Sequence, residues 1–430
     1  MACSIRIGRM VVEILSRIAA AGAWRILALR AAIVAVNFGV MIGLAAIMGL
    51  AGFGELAVVW GLAMIASTAL SCGAPLLLLR HLTDGRGMSR GSLLRHVVLQ
   101  PAALAVVAFP FLYLAFPAIN WTTVLLCGLS IHFVTCLASI MRALGNVQAS
   151  MALRDAVPPL ALGLAGLLAL GASAGLMLLL ATAIVFLISG CAVLWCLRQS
   201  GWPKLLRASD PEHQIYWSLW GTALLGMGLA QVDIVVAGAM LPPEQVGLYA
   251  VLRRVANLVA LPVSVATWVS AKPISAAFGA ADRLALGRAS ARGSSIAFVP
   301  GVALFCVVLA AMPLLDLIIA GAPDAQAGWI LVILASGALL QAIFASGTTV
   351  ATLCGQADQA ALSRAISIFC YLAIIGVWGL GQGAAFHAMV YAGSLTLGSV
   401  VLWLQLRRIL GIDTSAAILW PGMRASWRMS

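Results

Sequence analysis

Charged side chains are scarce in this chain, only 9% of 430 residues, where a soluble domain carries roughly 25%. Acids are the scarcest, with 13 Asp and Glu against 25 Lys and Arg. A water-facing surface cannot be covered with so few charges, so a soluble globular fold is excluded. A Gly-Lys-Ser/Thr phosphate loop is also missing, which argues against ATP hydrolysis by this chain. The nine cysteines have no metal-ligand spacing and no paired framework. Cys72, Cys127, Cys136 and Cys370 lie in apolar segments and read as small buried hydrophobes. Connections long enough to fold as a catalytic domain are lacking, so neither an enzyme nor a cofactor is expected. The formal charge of +12 falls in short clusters between apolar runs instead of along one stripe, which points away from nucleic acid.

What is present is hydrocarbon, with 63% hydrophobic residues and a mean hydropathy of +1.08. Apolar runs of spanning length follow one another from Leu29 to Leu406 and number about twelve by the length needed to cross a bilayer. The pattern predicts an all-α polytopic membrane protein with a six-helix lobe over 29–197, a cytoplasmic linker over 198–215 and a second six-helix lobe over 216–407. A cytoplasmic tail over 408–430 would complete it. In 1–28, Arg6, Arg9, Glu13 and Arg17 step by three and four, opposite Ile5, Val12, Ile14 and Ile18. That spacing predicts an amphipathic helix lying in the membrane interface. The run that follows has no small-residue cleavage pattern and is expected to stay as the first span.

Lys and Arg favour the cytoplasmic side of a membrane. Placed between the spans, Arg80, Arg86, Arg90 and Arg95 share a side with Arg142 and Arg154, with Arg198, Lys204 and Arg207, with Lys272 to Arg292, and with Arg364 and Arg407. The alternate connections lack Lys and Arg and hold Glu55, Glu244 and Asp324. Both termini are therefore expected in the cytoplasm. Only Arg253 and Arg254 fall outside this scheme.

An internal repeat accompanies the topology. Gly54-Glu-Leu-Ala-Val-Val59 recurs as Gly247-Leu-Tyr-Ala-Val-Leu252, each time where an outer turn enters the second helix of a half. Gly145 and Arg154 recur at the same spacing as Gly355 and Arg364. Halves with an even number of crossings are parallel repeats about an axis along the membrane normal.

Arg253 and Arg254 sit six and seven residues beyond Gly247, which places them roughly 10 Å deep in the apolar layer. Asp233 lies at similar depth on the preceding helix, and Asn257 one turn further in. Adjacent helical residues point about 100° apart, so one arginine is expected to pair with Asp233 while the other faces a cavity. Two readings stand: an ion pair that locks two helices, or an anion site. The surplus positive charge favours the second. Arg25 and Arg30 either line the cavity or snorkel to the headgroups. His132 and His387 either titrate or serve as packing residues. Asn37, Gln231 and Gln341 either line a sugar path or bond neighbouring helices.

The stretch from Asp233 through Pro242-Pro243, Gly247-Leu-Tyr249, Arg253-Arg254 and Asn257 to Leu261-Pro262 and Lys272-Pro-Ile-Ser275 resembles bacterial polysaccharide flippases of the multidrug/oligosaccharidyl-lipid/polysaccharide exporter superfamily. The match covers the second lobe's first hairpin and is topological elsewhere. The resemblance implies two six-helix lobes around a central cavity, alternating access, and an undecaprenyl-pyrophosphate-linked oligosaccharide as cargo. It implies membrane lipids and, in a biosynthetic complex, a glycan polymerase and chain-length proteins as partners. One of Arg253 and Arg254 would receive the pyrophosphate, with Asp233 tuning its charge through proton or sodium coupling. A cation or drug antiporter of the same superfamily would need acids in excess over bases. A glycan polymerase or lipid-linked glycosyltransferase would need a large outer loop. A non-transporting scaffold remains the third alternative.

Overall fold

The computed structural model describes residues 23–83, 88–169, 171, 173–198, 217–314 and 325–416, with the side chains of 23–27 among those left undescribed. Residues 1–22 of the expected interfacial segment, 199–215 of the expected linker over 198–215, and the tail beyond 416 lie outside the described residues. Where no water can satisfy a peptide group, the chain must close its hydrogen bonds within each segment, and helices result. Eleven helices among the described residues are long and apolar enough to cross a membrane. The first of them, in α1 (Ala23–Ser71), bends at Gly49, where φ is 70° and ψ 170°. Only glycine adopts that backbone cheaply. Its apolar stretch of 44 residues is about twice the length that spans a hydrocarbon layer of about 30 Å. The two limbs of α1 are therefore separate crossings, and twelve result.

The first half continues with α2 (Ala74–Thr83), α3 (Arg90–Leu94), a π-turn and α4 (Gln100–Ala115). It is completed by α5 (Trp121–Ala143), α6 (Val147–Met151), a π-turn (Ala152–Ala156), α7 (Val157–Leu168) and α8 (Ala174–Arg198). The second half holds α9 (Trp217–Met240), α10 (Pro243–Ala256), a 3₁₀ turn (Asn257–Ala260), α11 (Leu261–Gly279) and α12 (Arg283–Ala310). Then follow α13 (Ala325–Ile343), α14 (Gly347–Leu353), α15 (Ala357–Trp378) and α16 (Ala384–Leu410). Within the first half α1 packs on α5, α7 and α8; within the second, α9 packs on α15 and α13 on α16. The broad contact between halves runs from α1 to α9 and α10. Side chains such as Val106, Phe111 and Leu114 on α4 remain exposed, as a lipid-facing surface requires.

The halves touch most closely where the repeated glycines lie. A Cβ on Gly54 would strike the Pro243 carbonyl oxygen, and one on Gly247 would strike that of Leu50. Each carbonyl belongs to the residue four before the opposite glycine, so the contact is reciprocal. Backbone meets backbone across this end of the bundle, which we term the capped end. The other repeated pair, Gly145 and Gly355, both adopt positive φ, 85° and 73°, in the turns before α6 and α15.

The helix bounds correct the sequence reading at several basic residues placed between spans, since Arg142 lies in α5, Lys272 in α11 and Arg288 and Arg292 in α12; two further arginines bear on the cavities. Arg154 and Arg364 were placed in connections, but Arg154 lies in the π-turn between α6 and α7 and Arg364 in the second turn of α15. Hydropathy discounts a polar first turn, whereas here those turns are helical and face protein cavities instead of lipid.

Candidate functional site

Helix α10 is broken in mid-membrane by Pro262, which cannot donate to the carbonyl four residues earlier; the Asn257–Ala260 turn tightens to 3₁₀ as a result. Just before this break the helix carries Tyr249 and Arg253, one turn apart and therefore on one face. That face meets Asp233 on α9. The Arg253 Nε lies 2.7 Å from Asp233 Oδ2, and the Tyr249 hydroxyl donates to the same oxygen at 2.7 Å. Arg253 Nη2 donates to the Tyr391 hydroxyl at 2.8 Å and to the Ala230 carbonyl. The guanidinium also lies 5.1 Å from the Tyr391 ring centre. Asp233 is 0% and Arg253 7% exposed, so the pair is desolvated and each charge depends on the other. Removing either partner of such a pair costs about 3–5 kcal/mol.

Arg254, about 100° further round the helix, turns away from this pair. It makes no hydrogen bond or ion pair with another described residue, and it lines two cavities at once. The smaller, about 450 Å³, lies in the second half and is lined by Arg253, Arg254, Asn257, Gln341, Arg364 and Tyr391 among others. The larger, about 670 Å³, is lined from the first half by Arg30, Asn37, His132, Arg142 and Arg154, and from α9 by Trp220 and Gln231. Gln231 and Arg254 are common to both, so they stand where the cavities adjoin.

In the larger cavity Asp155 is shared by two arginines. Arg154 holds it with both arms, Nε to Oδ1 at 2.8 Å and Nη2 to Oδ2 at 3.2 Å. Arg30 Nη1 approaches Oδ2 at 3.7 Å. Asn37 Nδ2 donates to the Asp155 carbonyl at 2.9 Å, tying the first limb of α1 to the π-turn. Three contacts join the halves at the end away from Gly49. Arg30 Nε donates to Ser264 Oγ at 3.1 Å, Trp220 Nε1 donates to the Thr68 carbonyl at 3.0 Å, and Arg142 lies 5.3 Å over the Trp268 ring. Across both cavities six arginines (Arg30, Arg142, Arg154, Arg253, Arg254 and Arg364) are opposed by two carboxylates, Asp155 and Asp233. The lining is cationic and suits an anion with a polar body.

Of the residues singled out in the sequence, Arg253, Arg254, Asn257 and Gln341 meet in one cavity, and Arg30, Asn37 and His132 in the other. The side chain of Arg25 lies outside the described residues. His387 lines neither of these two cavities; it is fully buried, with Nδ1 3.3 Å from the Tyr371 hydroxyl. His132 is 1% exposed, with Nε2 3.5 Å from Cys136 Sγ, at the edge of the larger cavity. Arg154, Arg364 and Tyr391 escaped the sequence reading as site residues. The repeated Gly-to-Arg spacing already marked two of them, because a loop charge has no reason to recur at one register.

No family model matches the chain, and no curated protein matches it. The fold, however, has clear likenesses among solved structures. The inward-facing conformation of a multidrug resistance MATE family transporter of the MOP superfamily superposes with a TM-score of 0.60 at 12% identity, over 88% of this chain and 94% of that one. The MATE multidrug transporter DinF-BH in complex with R6G gives 0.63 at 19% identity, over 90% of this chain and 94% of that one. The lipid II flippase MurJ in an inward closed conformation gives 0.60 at 13% identity, over 88% of this chain and 86% of that one. The chain thus has the fold found in MATE transporters and in the MurJ flippase, two branches of the MOP superfamily.

Proposed function

We propose that this protein is a transporter that turns an undecaprenyl-pyrophosphate-linked oligosaccharide from the cytoplasmic to the periplasmic leaflet by alternating access, in a bacterial inner membrane with both termini in the cytoplasm. One observation carries the reading. Arg254 is a charged side chain within the apolar bundle, without a protein partner among the described residues, at the junction of two cavities. An intramembrane charge of this kind marks a substrate path. Arg253, held by Asp233 and Tyr391, is occupied; Arg254 receives the pyrophosphate. Asn37, Gln231, Asn257 and Gln341 supply donors and acceptors for sugars along the cavities, and the prenyl tail stays in lipid. Asp233 fixes Arg253 and through it the helix face that presents Arg254; coupling to a proton or sodium gradient would act on this pair. A glycan polymerase and chain-length proteins would consume the product on the far side.

The fold is shared with multidrug transporters, but the excess of arginines over carboxylates in the cavities favours an anionic cargo over a cationic drug. The test is genetic and chemical together. A deletion strain should accumulate lipid-linked oligosaccharide on the cytoplasmic face and lose surface glycan; the wild-type gene should restore export and Arg254→Gln should not, at equal membrane abundance. Normal surface glycan in the deletion strain, or full rescue by Arg254→Gln, would sink the reading. Restored resistance to cationic dyes instead would favour the antiporter.

A further inference from the structure

Arg154 and Arg364 stand at the same distance from Gly145 and Gly355, and each lines the cavity of its own half. Their electrostatic surroundings differ. Arg154 is gripped through two hydrogen bonds by Asp155, the next residue in the chain. After Arg364 comes Ala365. Among the described residues Arg364 makes no ion pair and one hydrogen bond, from Nη1 to the Thr222 carbonyl at 2.8 Å. A guanidinium has five N–H donors, so most of its capacity is unspent. The group lies flat over Gly226: a Cβ there would come 3.3 Å from Nη1 and 3.4 Å from Cζ. A methyl group there would make the guanidinium give by a few tenths of an ångström, and a branched side chain by more. Arg254 lines the same cavity, also without a protein partner among the described residues, and no Asp or Glu lines it.

We propose that Arg254 and Arg364 form an anion seat in the smaller cavity that takes a diphosphate-class group. Two unneutralised guanidiniums in a half-buried pocket are costly unless an anion supplies the missing charge and acceptors. Each presents a planar fork suited to bidentate phosphate contacts. Two forks match two linked phosphoryl groups better than one. The volume of about 450 Å³ accommodates a small polyanion. The first half offers no such seat, because Asp155 has taken the equivalent arginine. The proposal deepens the flippase reading by adding Arg364 to its site, yet binding of a bare diphosphate does not require that reading to hold.

The experiment is calorimetric titration of the purified full chain in lipid nanodiscs with inorganic pyrophosphate and, separately, orthophosphate. The wild type should bind pyrophosphate at least tenfold more tightly than orthophosphate. Arg364→Gln and Arg254→Gln should each weaken pyrophosphate binding at least tenfold and erase the preference. Arg288→Gln, at an exposed arginine of α12 that lines neither cavity, should stay within twofold of wild type. Gly226→Val keeps both arginines but displaces Arg364, and should weaken binding about as much as Arg364→Gln. Arg364→Lys, with the charge but not the fork, should fall between. If Arg364→Gln fails to fold, Arg364→Lys and Gly226→Val decide. No pyrophosphate binding by the wild type, wild-type affinity in Arg364→Gln or in Gly226→Val, or an equal loss in Arg288→Gln would overturn the seat. Unchanged binding in Arg364→Gln with failed export in Arg254→Gln removes this proposal and leaves the flippase reading. The expected binding pattern with normal export in Arg254→Gln does the reverse.

Discussion

Counted from Gly54, the first half places Val40, Leu56, Trp60 and Gly61 where the second half, counted from Gly247, places Asp233, Tyr249, Arg253 and Arg254. Counted from Gly145 and Gly355, Ala161, Met177 and Ala181 correspond to Tyr371, His387 and Tyr391. Leu56, Trp60, Ala161, Met177 and Ala181 are buried, and so are Tyr249, Arg253, Tyr371, His387 and Tyr391. The same helix crossings are thus filled with hydrocarbon in one half and with a hydrogen-bonded polar core in the other. At these positions the first half packs without polar side-chain bonds, so the polar core is not needed to hold these crossings together. Buried ion pairs are seldom more stable than apolar substitutes of similar volume. What the second half gains is a rigid α9–α10 face from which Arg254 projects, where the first half has Gly61 and no side chain at all.

The comparison can be broken most forcefully at the pair. Asp233→Asn leaves Arg253 charged and buried without its partner, and should lower stability by about 3–5 kcal/mol. Thermal unfolding in detergent reads this, and a loss below about 1 kcal/mol would mean that the pair is hydrated. The double variant Asp233→Leu with Arg253→Met makes the core resemble the first half. It should recover most of that stability while transport stays impaired, because Arg254 is no longer held in place. Recovery of transport would show that the polar core has no role beyond packing.

The capped end sharpens the comparison by symmetry. Gly54→Val and Gly247→Val each force a side chain into the opposing backbone, and overpacking of this kind costs typically about 1–3 kcal/mol. The two variants should be destabilised alike and should expose the capped end to a membrane-impermeant thiol reagent at a cysteine introduced for Leu50. Unequal effects would contradict the reciprocal contact. Of similar size is Tyr249→Phe, which removes one hydrogen bond to a carboxylate and should cost about 1.5–3 kcal/mol, measured in the same unfolding assay.

The helical architecture was legible because a bilayer leaves few options: apolar runs of sufficient length must be helices, and arginine clusters sort their ends. The repeated glycines were legible as a motif, but their purpose, the mutual approach of Leu50, Gly54, Pro243 and Gly247, needs three dimensions. Arg253 and Arg254 stood out because they interrupt an apolar span. Which of them pairs with Asp233 depends on a rotation of about 100° that no spacing rule resolves at this depth. Arg154 and Arg364 were hidden by the rule that exposed the others. A hydropathy window assigns a polar helical turn to a loop, and only the cavities show that these turns face inward. Tyr249, Tyr371 and Tyr391 are unremarkable in an apolar sequence until their hydroxyls are seen on Asp233, His387 and Arg253.

The central claim is that Arg254 carries the anionic group of the cargo through the bundle. Flipping of a fluorescent undecaprenyl-pyrophosphate oligosaccharide should be measured in proteoliposomes by the fraction accessible to an external quencher, for wild type, Arg254→Gln and Arg288→Gln at equal protein content. Arg254→Gln should reduce the flipping rate at least a hundredfold, while Arg288→Gln, exposed and outside both cavities, retains most of it. Wild-type flipping by Arg254→Gln would contradict the account.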